Sequence, residues 1–125
     1  MSFRENDLDD GVVSYDDDDE DQIVEITNPE HNVIYEFKGT QFMWDSVKYE
    51  RNYEKHKIAF EEAATVILDP DTKYFPDEKH SGDEERTIAV GFSDKLRILM
   101  VCHCLRKRNT VVRIISARKA TKLER

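Results

Sequence analysis

The sequence predicts an α+β fold in which two N-terminal helices of the main domain pack on a mainly antiparallel, twisted sheet, with a short helix at the C-terminus. Three observations support this. Helical periodicity occupies residues 47–56 and 60–68, strand-like runs rich in Val, Ile and Leu fill the chain from residue 87 onward, and the breaks between those runs are of hairpin length. A chain of 125 residues allows one domain with a modest core.

The first helix follows Phe42-Met43-Trp44, a short extended piece. Asp45 and Ser46 are good N-caps, and Val47 to His56 runs without Gly or Pro. Tyr49, Tyr53 and His56 fall on one face, with Lys48, Arg51 and Lys55 on the adjoining stripe. In the second helix Phe60, Ala63, Ala64, Ile67 and Leu68 follow the i, i+3, i+4, i+7, i+8 pattern; Glu61 and Glu62 suit its positive end, and Asp69-Pro70 stops it. Tyr74-Phe75 is a short strand, and Thr87–Phe92 carries Gly91 as a candidate bulge. Arg97–Leu105 and Thr110–Ser116 complete an antiparallel meander through turns at Ser93-Asp94-Lys95 and Arg106-Lys107-Arg108-Asn109. Thr121-x-x-Glu124 is a capping box that leaves room for one turn of helix.

Charge is distributed unevenly. The net charge of -8 combines a balance of -11 over residues 1–41 with +3 over residues 42–125, and residues 95–125 hold ten basic side chains against Glu124 alone. Residues 1–41 therefore read as an acidic extension. Residues 1–21 have too few large apolar side chains to offset their ordering entropy and read as disordered. Residues 22–38 read as two short strands about Asn28-Pro29-Glu30-His31-Asn32; the pattern does not say whether they join the main sheet. No apolar run is long enough to cross a bilayer, and MSFRENDLDD lacks the apolar stretch of a secretory signal, so a cytoplasmic chain without membrane contact is expected. Cys102 and Cys104 read as small buried hydrophobes in a reducing compartment. A metal role would need ligands from His31, His56, His80 or His103, and no zinc-like spacing is present.

Meander geometry places Arg86, Cys102–His103 and Val112–Arg113 in roughly one row at one end of the sheet, with Glu85 next door and Arg118 just past the last strand. Which of them share a face depends on turn register. The group suits phosphodiester chemistry. Arg offers a planar, permanently charged fork, and cleavage of RNA without a metal needs a base, an acid and cations for the phosphorane. His56, Glu85 and His103 are the available proton carriers; Arg86, Arg113 and Arg118 are the available cations. The residues alone leave open a catalytic site, a solvated basic face and a protein-partner surface.

From Phe42 onward the sequence resembles the BrnT family of bacterial type II toxins, which share the RelE-like ribonuclease fold. The resemblance is carried by Phe42-x-Trp44-Asp45-x-x-Lys48-x-x-x-Asn52-x-x-Lys55-His56, then Phe60-Glu61-Glu62-Ala63 and Phe75-Pro76-Asp77. It continues through His80-Ser81, Glu85-Arg86 and Val101-x-His103, and the run Arg113-Ile114-Ile115-Ser116-Ala117-Arg118-Lys119-Ala120-Thr121 with Glu124-Arg125 closes it. It implies a toxin domain over residues 42–125, acting as a metal-independent endoribonuclease that inhibits translation without a cofactor. It also implies a ribbon-helix-helix antitoxin as partner, which alone contacts operator DNA. The implied catalytic residues are His56, Glu85, Arg86, His103, Arg113 and Arg118. RNA-binding roles go to Lys48, Lys55, Arg106, Lys107, Arg108 and Lys119. The alternative is a non-catalytic, antitoxin-binding co-repressor of the same system; a zinc or redox role for the two cysteines comes third. The acidic run Asp16–Asp21 could lie over the basic face and compete with RNA.

Overall fold

The computed structural model describes residues 29–78 and 85–121. A 3-10 turn at Pro29–His31 leads into β1 (Asn32–Phe37) and β2 (Thr40–Asp45). Then come α1 (Ser46–His56), α2 (Phe60–Leu68), β3 (Lys73–Pro76), β4 (Thr87–Phe92), β5 (Ile98–Arg106) and β6 (Val111–Lys119). The six strands form one sheet in the order β1-β2-β6-β5-β4-β3. β2 pairs parallel to β6 over Gln41–Met43, and every other neighbouring pair is antiparallel.

The α+β class is as expected, but the helices are not N-terminal: two strands precede them. β1 and the start of β2 lie in the segment read as the acidic extension, and both are part of the sheet. Their hairpin turns through Lys38 and Gly39, both at positive φ, the two-residue geometry that matches strand twist. The first strand expected over 22–38, the acidic run Asp16–Asp21 and the C-terminal turn of helix after Thr121 lie outside the described residues.

Asp45 caps α1 as expected, its carboxylate accepting from Val47 N–H at 3.0 Å. α1 ends at Lys57 in the left-handed region, whose N–H reaches Tyr53 C=O. α1 and α2 lie on one face of the sheet. Between helices and sheet sits a core of Phe42, Trp44, Ile58, Phe60, Leu99, Val101, Ile114 and Ala117. Trp44 meets Phe60 edge-on at 5.6 Å and Tyr35 of β1 at 5.5 Å, so β1 contributes to the same aromatic cluster. α2 is tied to the β4–β5 turn by Glu62. Its buried carboxylate accepts from Ser93 Oγ at 2.7 Å, from Arg97 Nε at 3.0 Å and from Arg97 Nη2. Burial alone would raise the Glu62 carboxyl, but these donors outweigh it and hold the group below its usual range.

Two local features set the register. Gly91 is not a bulge: it pairs regularly with Leu99. It is glycine because a Cβ there would lie 2.3 Å from Thr72 Oγ1, itself hydrogen-bonded to Val66 C=O. The irregularity lies instead in β6. Cys102 pairs with Ser116 and His103 with Ile114, so Ile115 is an extra residue. The bulge changes the alternation of the strand. Val112, Ile114 and Ala117 all face the helices, and Arg113 and Arg118, five residues apart, both face the other side.

Candidate active site

The helix-free face carries the arginines. Met43, Arg113 and Cys104 are aligned across β2, β6 and β5. Arg86 extends the same row, one residue before the Thr87–His103 pair. Arg86 and Arg113 thus share a row as expected, but the β5 residue between them is Cys104, with His103 one residue and Cys102 two residues away. Arg86 and Arg113 are 6% and 2% exposed. Asp77, also buried, continues the row by donating its N–H to Arg86 C=O at 2.9 Å. Cys102 Sγ donates to Asp77 Oδ2 at 3.6 Å; both cysteines are buried, as their small size and apolar character suggested, and neither is in a disulfide.

Arg118 lies inside β6, paired with Met100, rather than beyond the strand. It is five residues from Arg113, about 15 Å at strand rise. What brings other groups to Arg118 is Asn52. β6 loses its β2 neighbour after Arg113, and along the exposed edge Asn52 of α1 takes over. Its Nδ2 donates to Ala117 C=O at 2.8 Å and its Oδ1 accepts from Ala117 N–H at 3.1 Å. The C-terminal turn of α1 is thereby held beside the next residue, Arg118. Burial, then the charges of Lys55 and Arg118, push the His56 imidazole down to about 4. At neutral pH this corner presents a neutral imidazole between two cations.

His103 is on the other face. It pairs with Ile114 of the core, and its ring meets Tyr74 edge-on at 6.0 Å. Tyr74 in turn donates its hydroxyl to Ile67 C=O of α2 at 2.9 Å. Burial lowers the His103 imidazole, and its ring nitrogen lies 3.4 Å from Val101 C=O. The structure thus brings Arg86 and Arg113 together, brings His56, Lys55 and Arg118 together, and separates His103 from both arginine groups. Glu85 is exposed beside Arg86, at the rim of a depression at the β3–β4 edge.

Of the expected RNA-binding residues, Lys48 is 5% exposed, on the buried side of α1 with Asn52. Lys55, Lys107, Arg108 and Lys119 are exposed, and Arg106 is half-buried. Lys107, Arg108 and Asn109 all take positive φ in the β5–β6 turn, which Thr110 closes with bonds to Arg106 and Lys107 C=O. The face pattern expected for α1 also differs: Tyr53 is 45% exposed, and Lys48 and Asn52 are turned inward. Sequence reasoning gave no role to Asn52, Tyr74 or Asp77. For Asn52 the available signal was a lone amide at a helix position spaced i, i+4 from Lys48. Among the described residues no helix is long and apolar enough to cross a membrane, and no three His, Cys, Asp or Glu side chains form a metal-binding group.

A helix-backed sheet whose opposite face bears permanently charged guanidinium groups, with a neutral imidazole at one corner, has the equipment of a small phosphodiester-handling domain. The family model described as the ribonuclease toxin BrnT of type II toxin-antitoxin systems matches residues 44–124, and the chain belongs to that family. Among solved structures, the 1.1 Å crystal structure of the Brucella abortus ribonuclease toxin BrnT is similar, at 25% identity and a TM-score of 0.49. The match covers 63% of this chain and 94% of that one. No curated protein matches the chain.

Proposed function

We propose that this ribonuclease toxin is a metal-independent endoribonuclease that cleaves cytoplasmic RNA and so inhibits translation. Its cognate ribbon-helix-helix antitoxin neutralises it and links it to operator DNA. The observation that carries the reading is that Arg86, Arg113 and Arg118 share one sheet face, the last two because of the β6 bulge, with His56 held at the Arg118 end.

In this reading Arg118 and Lys55 are the cations that meet the strand, and the buried Arg86 and Arg113 add positive potential behind it. Arg118 and Lys55 stabilise the charge that builds on the phosphorane as the 2′-oxygen attacks. His56, neutral at working pH, takes the 2′-OH proton as the 2′-oxygen bonds to phosphorus, and the imidazolium so formed gives it to the 5′-oxygen as the P–O5′ bond breaks. Glu85, exposed beside Arg86 at the other end, is the second candidate proton carrier. His103, turned toward Tyr74 and the helices, supports the sheet that presents the arginines.

The test is cleavage of bulk cellular RNA by purified protein in the presence of a chelator, alongside growth arrest on expression. Arg86→Ala and Arg118→Ala variants that retain the fold should lose both activities. Growth arrest by both variants at the parental level would overturn the site. Absence of cleavage, together with tight antitoxin binding, would instead support a non-catalytic co-repressor.

A further inference from the structure

Left-handed backbone is the ordinary place for Gly and Asn, because a longer side chain sets its β-carbon against the following carbonyl. Lys38 (φ 52°), Lys107 (52°) and Arg108 (58°) nevertheless hold it, in the β1–β2 and β5–β6 turns. Gly39 and Asn109 beside them are the residue types that such turns favour. Cations kept at three positions where Gly or Asn would fit better point to a use for their charge.

The topology brings the two turns together. β2 and β6 run parallel, with Gln41 paired to Val111. Lys38 stands three residues before Gln41 and Arg108 three before Val111, so both turns leave the same end of the sheet from neighbouring strands, about 5 Å apart. Lys38, Lys107 and Arg108 are all exposed. Among the described residues none of the three forms an ion pair. Lys38 Nζ lies 5.3 Å from the centroid of the Phe37 ring, a contact that uses none of its hydrogen-bond donors. A Cβ added at Gly39 would meet nothing within 4 Å, so the space around this turn is open. Glu36, the carboxylate nearest Lys38 in sequence, faces the helix-free side, opposite to Tyr35 and Phe37. Three exposed cations against one carboxylate suit a polyanion, and a single RNA strand offers such a cluster successive phosphates.

We propose that Lys38, Lys107 and Arg108 form a second RNA-binding site, at the opposite end of β6 from Arg118, which holds phosphates of the substrate strand away from the cleavage point. Lys38 precedes residues 44–124 of the family match, so the site draws on a hairpin turn outside that match. The assignment rests on the ribonuclease reading for its ligand but not on catalysis.

The test is binding of two 2′-O-methyl oligoribonucleotides of unrelated sequence, which lack the attacking hydroxyl. The proteins are the full-length wild type, Lys38→Asn, Arg108→Asn and the double variant. Asn suits positive φ, so these variants keep the turns and lose only charge. Each single variant should weaken binding by about threefold or more at low salt, equally for both sequences. Each should also lower the salt slope by about 0.7, the share of one phosphate contact on a single strand. Lys38→Arg should retain wild-type affinity. Lys95→Asn removes the same charge from the exposed β4–β5 turn, at the other end of the sheet, and should leave affinity near the wild-type value. Equal affinity of the wild type and the double variant overturns the proposal. So does a loss in Lys95→Asn as large as in Lys38→Asn, which would make the effect one of net charge. Loss of antitoxin binding with RNA binding unchanged assigns the turns to a protein partner and also overturns it. If the wild type binds RNA with the expected pattern yet cleaves none, the site stands and only the ribonuclease reading falls. If the wild type cleaves RNA and the double variant binds it as tightly, that reading stands and the site falls.

Discussion

The Asn52 side chain holds both backbone polar groups of Ala117, with its amide nitrogen 2.8 Å from the carbonyl and its amide oxygen 3.1 Å from the N–H. The amide stands in for a neighbouring strand at the point where β2 has ended. Asn52→Ala leaves a buried N–H and C=O unsatisfied and should destabilise the fold by about 2–4 kcal/mol. Urea denaturation would measure this. Asn52→Gln, whose amide is one methylene too far out, should recover little of the loss. A destabilisation below about 0.5 kcal/mol would contradict the strand-substitute role.

Gly91 offers a second stability test. An added methyl must displace Thr72, which is anchored to Val66 C=O. Gly91→Ala should cost about 1–3 kcal/mol, in the range of overpacked cores. The double variant Gly91→Ala, Thr72→Ser removes the Thr72 methyl but keeps the hydroxyl in the way, so thermal melting should show little rescue.

The β5–β6 turn predicts a gain. Arg108 holds a φ of 58° between two other left-handed residues, a region where a β-carbon is unfavourable by roughly 1 kcal/mol. Arg108→Gly should raise stability by up to about 1 kcal/mol by equilibrium denaturation. RNA affinity should fall in the same variant if the turn contacts phosphate.

Histidine burial gives stability a pH dependence. The folded-state His56 value of about 4 lies below its ordinary 6.5, and His103 is lowered as well. Above 6.5 both folded and unfolded imidazoles are neutral and the fold has its full stability. As the pH falls through 6.5 toward 4, the unfolded chain binds protons that the folded sites refuse, so stability declines. Denaturation midpoints across this window should fall with pH, less steeply in His56→Asn. A pH-independent midpoint would place both rings in water.

The acidic N-terminal stretch gives a prediction in the opposite sense. If Asp16–Asp21 competes with RNA for the arginine face, deleting residues 1–28 should tighten RNA binding at low salt, and the advantage should shrink as salt screens the charge. The deletion must stop before β1, because Tyr35 packs on Trp44 and a deeper cut would unmake the aromatic cluster. Equal affinity at low salt would remove the arm from the site.

Elements with a local signal were legible in the sequence. α2 begins and ends where its apolar spacing and Asp69-Pro70 place it, and Asp45 caps α1 as its residue type suggests. Features decided by tertiary register were not. The spacing of Arg113 and Arg118 is odd, so plain alternation would put them on opposite faces; only the bulge at Ile115 reunites them, and no residue type marks that bulge. Gly91 drew attention as the visible glycine, yet its role is to admit Thr72, a contact across separate elements. The inward turn of Lys48 and Asn52 escaped helical-wheel reasoning because the face of α1 that meets the sheet edge is polar.

The place of β6 in the sheet has a consequence for the timing of folding. β1 and β2 form one flank, β3 to β5 the other, and the strand that joins them is the last of the six to be synthesised. Arg113, Arg118 and the Ala117 groups that dock α1 all belong to that strand. During synthesis the earlier segments have no partner across the gap, and the arginine face has no framework. The arginine face is therefore kept unassembled until its final strand clears the ribosome, and if RNA is cut there, that limits how early the nascent chain can act on the RNA around it.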